Sequence, residues 1–527
     1  MSAAIRIHDY LEHWAQADPA RRCLTDGERS WTYAEVDDWA NRVAAALADR
    51  ELADGARVGI LARNCPDWVA LYYGAFKCGA VPVPLNFRLH PSEWAYLLTD
   101  SGAAAVIAQE EFVGLLDGLG EAFPAGVTTK LVIDGDPDEV AEGWHSLPAV
   151  LADVAPRPRP SDRRAGDQDL WQMYTSGTTG LPKGAVVTHA SVNANQLQMR
   201  TSAPVLPSDH RLVVMPLYHA GAAMSMIQVI AAGASLRTMA KFEPAECVRV
   251  IDDEQVSHLS LVPAMIHAMI RLPDLTHRRF ASLRTISYGA SPITEDTLRT
   301  ALDIFNCGFQ QAFGQTETSA ALTMLDARAH ERALAGEPHL LRSCGRALVG
   351  TELAVVDTDG KPVDAGVVGE VVARGPQMMR GYWNLPDATA ETLVDGWLRT
   401  GDAGYLDEEG FLYLSDRMKD LIVSGGENIY PREIEEILAR MPGVSEAAVI
   451  GVPDARWGES VKACVVLETG GTASEDAVIS WCREHLATYK APRSVDFLEA
   501  LPRNPSGKVL KRELRAPYWA DQARQVG

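Results

Sequence analysis

Over the first 300 residues, short apolar runs alternate with longer stretches of helical periodicity. The runs are RVGILA (57–62), AVPVPL (80–85), AAVIA (104–108), KLVID (130–134), RLVVMP (211–216) and RTISYGA (284–290). Each has the length and apolar character of a strand buried on both faces. Strands separated by helices in this way predict mostly parallel sheets with helices on both sides, an α/β architecture. The amino terminus, MSAAIRIHDYLEHWAQ, carries charge throughout and reads as a first helix rather than a leader peptide. From Ala220 to Leu236 the chain is almost uncharged but rich in Ala and Gly, and too short for a membrane span, so a buried helix is expected there.

The texture then changes. Between about Gly345 and Asp416 the runs shorten and alternate, with turn signals in TELAVVDTDGKPV, GEVVARG and GYLDEEGFLYLSDR, which predicts an antiparallel β subdomain. After Lys419 a smaller α+β unit follows: strand LIVSG, helix PREIEEILARM, strands AAVIGV and KACVVL, helix DAVISWCREHL, and a basic tail RNPSGKVLKREL. VAPRPRPSDRRAGD (154–167) has too many prolines for regular structure and is expected to be a surface connection.

A chain of 527 residues needs more than one hydrophobic core. The net charge of -21 excludes a general nucleic-acid binder, so any anionic ligand must be met by a local site. The eight cysteines show no CxxC pair and no metal-ligand spacing, which fits reduced thiols in a cytoplasmic protein.

The richest chemical signal is YTSGTTGLPKG, Tyr174 to Gly184, between the apolar LWQM and the helix-like ASVNANQLQ. Thr175, Ser176, Gly177, Thr178, Thr179, Gly180 and Lys183 offer exposed backbone N–H groups, hydroxyls and a cation, a set suited to polyphosphate. The spacing is not that of the P-loop of NTPases, since Lys183 follows a proline and precedes Gly184.

This loop resembles the signature of the adenylate-forming superfamily, which includes acyl-CoA synthetases, firefly luciferase and the adenylation domains of peptide synthetases. Further blocks stand in the same order: MPLYHAGA (215–222), SYGASPI (287–293), QAFGQTET (311–318), GWLRTGD (396–402), SDRMKDLIVSGGENIYPREIEE (415–436) and RNPSGKVLKREL (503–514). The resemblance covers essentially the whole chain. It implies a large N-terminal domain (1–416) of two doubly wound α/β subdomains plus a distorted β-barrel, a hinge at 417–420 and a small mobile α+β domain (421–527).

By the same resemblance, Glu317 is the Mg2+ ligand and Thr316 the hydroxyl on the α-phosphate, while Gly314 lets backbone approach the nucleotide. Phe313 stands where many relatives have tyrosine and stacks on adenine; Gly289 and Ala290 count among the nucleotide-binding residues, on the strand end opposing the acyl-pocket block. Asp402 accepts the ribose hydroxyls with Arg417 as its partner. Lys508 is the catalytic lysine, placed for the charge that develops between carboxylate and α-phosphate. No general base is needed, because the acid is already ionised. Lys419 sits in the hinge, and Ser424, Gly425 and Gly426 line the path of the CoA arm.

His219, Ala220 and Gly221, with Gly289, match the block lining the acyl pocket. No aspartate stands there to bind a substrate amine, so an uncharged tail is expected, with medium or long-chain fatty or bulky alicyclic acids ahead of acetate. The implied activity is an ATP- and Mg2+-dependent carboxylic acid:CoA ligase working through an acyl-adenylate. Its alternatives are an aryl-acid CoA ligase, a luciferase-like oxygenase or a carrier-loading enzyme. No membrane-spanning segment is expected, and a homodimer is compatible with this chemistry.

Overall fold

The computed structural model describes residues 5–52, 54–136, 138–155, 167–175, 181–273, 275, 280–289, 293–417, 420–424, 427–454, 456–468, 470–503 and 509–519. The chain folds as two compact units: residues up to Leu353 with Ala373–Leu398, and Ala354–Val372 with the chain from Arg399 onward.

In the first unit, all six apolar runs form strands. Arg57–Leu61, Val81–Pro84, Ala105–Ala108 and Thr129–Val132 belong to a five-stranded parallel sheet completed by His145–Ser146. His210–Val213 and Thr285–Tyr288 belong to a nine-stranded sheet. Its parallel centre runs Gly308–Phe313, Thr285–Tyr288, His258–Leu261, His210–Val213, Ser235–Thr238, Arg22–Thr25. Antiparallel strands Thr323–Leu325, Arg346–Ala347 and Ser30–Thr32 close its two edges.

In both sheets the chain reverses its direction of travel. After His210–Val213 it adds Ser235–Thr238 on one side and His258–Leu261 on the other. After Arg57–Leu61 it adds Val81–Pro84 on one side and Ala105–Ala108 on the other. Loops diverge at such points and leave a crevice beyond the carboxyl ends of the strands, where open α/β sheets bind their ligands.

The first helix spans Ile7–Ala17. The uncharged stretch forms the buried helix Ala220–Ala232, but Leu236 lies beyond it in a strand, because Gly233 takes a left-handed turn that ends the helix. A curled, half-barrel-like sheet contains Glu352–Val356, Gly369–Arg374, Leu393–Val394, Trp397–Leu406 and Leu412–Arg417. In the second unit, strands Glu427–Ile429, Ile422–Ser424, Gly458–Leu467, Val444–Asp454 and Ser494–Phe497 form a sheet accompanied by helices Pro431–Leu438, Glu475–His485 and Lys511–Trp519. Among the described residues no helix is long and apolar enough to cross a membrane.

Candidate active site

The stretch YTSGTTGLPKG joins two antiparallel strands, Asp169–Thr175 and Lys183–Thr188, and helix His189–Ser202 begins only after the second. The sequence sets the loop between the apolar LWQM and the helix-like ASVNANQLQ, and the structure inserts a strand between loop and helix. The turn residues mask KGAVVT, a short β-branched run that pairs residue by residue back to Thr175. Residues 176–180 lie outside the described residues. Both feet of the loop are tied to helix Pro91–Ser101: Tyr174 donates to Asp100 at 2.6 Å, and Tyr96 donates to the Pro182 carbonyl at 3.2 Å. Burial and Asp100 together push the Tyr174 phenol up, so it stays a donor.

Opposite this hairpin lies FGQTET, at the carboxyl end of strand Gly308–Phe313. A Cβ on Gly314 would fall 2.2 Å from the Ala320 carbonyl oxygen and 2.6 Å from the Ala321 Cα. The close approach that this glycine permits is therefore first of all to the chain's own returning backbone. That return makes a single 3-10 turn, Thr316–Thr318, closed by Ser319 in a left-handed conformation (φ 64°) whose hydroxyl donates to the Gln377 carbonyl at 2.8 Å. A serine held at positive φ stores strain, which tends to accumulate at functional sites.

The turn sorts its hydroxyls. Thr318 is committed, accepting from the Gln315 N–H at 3.0 Å and donating to the Gln315 carbonyl at 2.9 Å. The Thr316 hydroxyl has no hydrogen-bond partner among the described residues, while its carbonyl accepts the Ser319 N–H. Glu317 is 9% exposed, and its Oε1 accepts the Tyr382 hydroxyl at 2.8 Å. The Tyr382 ring in turn lies under the ammonium of Lys183, 5.0 Å from Nζ to the ring centre. Among the described residues neither Lys183 nor Glu317 has an ion-pair partner. One phenol thus stands between a cation and an anion that are both left for something else.

His219 precedes helix Ala220–Ala232, and its ring lies 4.4 Å from that of Tyr218. Burial, assisted by the charge of Arg88, lowers its pKa to about 4, so the imidazole is neutral near pH 7. Ala220 is buried, and a Cβ added at Gly221 would meet no described residue within 4 Å beyond its own stretch of helix. Gly289 ends strand Thr285–Tyr288, with its Cβ direction 3.1 Å from the Ala312 carbonyl oxygen. The buried Tyr218 hydroxyl has no hydrogen-bond partner among the described residues. Asn64, from the switch point of the other sheet, clamps the loop that leads here: its Nδ2 donates to the Met215 carbonyl at 3.0 Å and its Oδ1 accepts the Leu217 N–H at 2.8 Å.

In the second unit, Asp402 is 5% exposed within strand Trp397–Leu406 and stands directly across the ladder from Arg417. Thr400 donates to the Val371 carbonyl at 2.7 Å and accepts the Asp402 N–H at 3.1 Å. Ser424 pairs with Glu427 at the end of an antiparallel ladder. Ala290, Lys419, Gly425, Gly426 and Lys508 lie outside the described residues.

The sequence reading missed Tyr382, Asn64, Tyr96 and Asp100. A polar residue just past a buried strand was the only local sign of Asn64, and nothing near Tyr382 in the chain signals a contact 65 residues away.

The family described as AMP-binding enzyme matches residues 11–383, and that described as AMP-binding enzyme C-terminal domain matches 433–508. The chain is 37% identical over 516 residues to the fatty acid–[acyl-carrier-protein] ligase ScoC of Streptomyces coeruleorubidus, covering 97% of this chain and 96% of that one. It is 38% identical over 490 residues to the long-chain-fatty-acid–CoA ligase FadD13 of Mycobacterium tuberculosis, covering 93% of each. Its structure resembles that of a Mycobacterium tuberculosis fatty acyl CoA synthetase with a TM-score of 0.79 at 36% identity, over 98% of both chains.

Proposed function

The chain belongs to the AMP-binding enzyme family, and from that premise we propose that it is a carboxylic acid:CoA ligase. It condenses its acid with ATP to an acyl-adenylate and pyrophosphate, then passes the acyl group to the thiol of CoA with release of AMP. The observation that carries this reading is the Lys183–Tyr382–Glu317 arrangement. A cation and a carboxylate held apart and unneutralised complement a ligand that brings phosphates for the one and a metal for the other.

Mg2+ suits the donor set. The hard carboxylate of Glu317 has Oε2 without a hydrogen-bond partner among the described residues, and no cluster of three His, Cys, Asp or Glu there could hold a metal by itself. One protein oxygen is what Mg2+ takes when phosphates and water fill its other positions, and the bound ion would offset charge on the β- and γ-phosphates. Thr316 is assigned to the α-phosphate, Lys183 and the Ser176–Gly180 loop to the polyphosphate, Phe313 to the adenine, and Asp402 with Arg417 to the ribose. Lys508 meets the charge forming between carboxylate and α-phosphate. The hinge is assigned to 417–420 around Lys419, and Ser424, Gly425 and Gly426 to the arm of CoA.

The acid's tail meets Ala220, Gly221, Gly289 and a neutral His219, with no aspartate in that block to bind an amine, which favours a medium or long-chain fatty or bulky alicyclic acid. Similarity to ScoC supports a second reading, in which the acceptor is the thiol of an acyl carrier protein. Acid-dependent exchange of pyrophosphate into ATP over fatty, alicyclic and aryl acids, followed by thioester detection with CoA or a carrier protein, tests both. Exchange with acyl-CoA formation supports the first reading, and thioester on the carrier alone supports the second. No exchange with any acid overturns both.

A further inference from the structure

We infer that Tyr382 is a positioning residue for the metal–nucleotide complex: its hydroxyl fixes Glu317 so that Oε2 is presented to the metal, and its ring keeps Lys183 from closing onto that carboxylate. The assignment rests on the ligase reading above but concerns a residue that the motifs did not point to.

The backbone sets the position of the ring before any side-chain contact forms. Gly381 and Tyr382 pair antiparallel with Val186 and Ala185 on the strand that begins at Lys183. Trp383 donates its N–H to the Gly184 carbonyl at 2.8 Å, and Met379 donates to the Glu317 carbonyl at 2.7 Å. Residues 379–383 are therefore bonded to the lysine strand on one side and to the glutamate turn on the other. Gly381 allows this approach: at φ 155° a Cβ there would sit 2.7 Å from Thr389 Cγ2, and the same threonine's hydroxyl accepts the Tyr382 N–H at 2.9 Å. The Arg57 guanidinium packs 3.6 Å from the centre of the Trp383 ring and stiffens the next residue.

Two consequences follow from placing a phenol there. A carboxylate free to rotate offers either oxygen, or both, to a cation; with Oε1 engaged by an O–H donor at 2.8 Å, one oxygen and one direction remain. A lysine and a glutamate close together in a partly buried site would otherwise pair and neutralise each other. Cation–π attraction instead holds the ammonium over the ring face while the hydroxyl occupies the carboxylate. Both charges then remain available to the incoming ligand.

The test compares wild type with Tyr382→Phe, which keeps the ring, and Tyr382→Leu, which loses ring and hydroxyl. Mn2+ affinity in the presence of ATP, read by water-proton relaxation, should fall on the order of tenfold in Tyr382→Phe, the scale typical of a lost partner to a metal ligand. ATP affinity without metal and the melting temperature should match wild type in that variant. Tyr382→Leu should also lose metal-free ATP affinity, since Lys183 is then free to pair with Glu317. Unchanged Mn2+ affinity in a folded Tyr382→Phe protein would overturn the assignment. So would a structure of the wild type with Mn2+ and ATP in which the metal sits on Oε1 and the tyrosine has turned away, a result independent of how any variant folds. A wild type that binds Mn2+ and ATP but exchanges pyrophosphate with no acid would sink the ligase reading and leave the tyrosine's role standing.

Discussion

The two ends of the nine-stranded sheet carry similar residue types and use them in opposite ways. At the amino ends, Asp209 accepts from Ser257 Oγ at 3.1 Å, from Arg284 at 3.1 Å and from the Leu206 N–H at 2.6 Å. His210 contacts Ser235 at 2.8 Å, and His258 contacts Ser257 at 3.0 Å. Every one of these groups has its partner in the protein. At the carboxyl ends, the Tyr218 hydroxyl, the Thr316 hydroxyl and Oε2 of Glu317 have no hydrogen-bond partner among the described residues. A buried polar group left without a partner costs stability, and such groups persist where a ligand completes them. Polarity alone therefore does not mark a site; the unspent bonding capacity does.

The sharpest way to break the contrast is at the closed end. Asp209→Ala strips partners from Ser257, Arg284 and Leu206 together and should cost about 3 kcal/mol of stability by denaturant unfolding. That is the low end for a broken buried pair, because Arg284 is 41% exposed and can turn to water. KM values measured well below the melting temperature should stay at their wild-type level.

Glu317→Gln is the complementary change at the open end. Adenylation should fall on the order of 100-fold, equivalent to about 2.7 kcal/mol, with part of the loss recovered at high Mg2+. Stability should hardly move, since the amide oxygen still accepts from Tyr382. Full activity at low Mg2+ would remove Glu317 from the metal site.

The third effect is on pH dependence. Burial, with the charges of Arg211 and Arg284, lowers the His258 pKa to about 3, and burial lowers that of His210 as well. Their ordinary value is near 6.5, so below that pH the unfolded chain binds protons that the folded chain refuses. The stabilisation from neutral burial is complete above about pH 6.5 and is lost as pH falls toward 3. His258→Gln should remove about one proton from this acid limb, a slope of about 1.4 kcal/mol per pH unit, seen as flatter unfolding free energies between pH 6 and 4. The adenylation pH profile should be unaffected.

The smallest effect separates packing from substrate room. Because no described residue beyond its own stretch of helix lies within 4 Å of a Cβ at Gly221, Gly221→Ala should stabilise helix Ala220–Ala232 by about 0.5 kcal/mol. If that space admits the acid's tail, the same change should shift the preference toward slimmer or shorter acids, read as kcat/KM over a chain-length series. A stability gain with no shift in preference would place the pocket elsewhere.

Most of the scaffold was legible because buried parallel strands are written as unbroken apolar runs, and the runs at 57–62 and 284–290 needed no information beyond themselves. The short strand Lys183–Thr188 was not, since four glycine- and threonine-rich turn residues ahead of it outweigh a β-branched stretch of its length. Within the site, Glu317 and Asp402 were legible from motif blocks. Tyr382 and Asn64 were not, because each acts on a segment 65 to 153 residues away, and register between distant segments leaves no periodic trace in either.

The path of an oxygen atom tests the chemistry most directly. With a carboxylic acid labelled with 18O in both carboxylate positions, attack on the α-phosphate places one labelled oxygen in the bridge of the acyl-adenylate, and thiol attack at the carbonyl expels AMP carrying it. The expected result is AMP with one 18O per acyl-CoA formed, alongside unlabelled pyrophosphate. Unlabelled AMP, or ADP with the label in inorganic phosphate, would contradict an acyl-adenylate route.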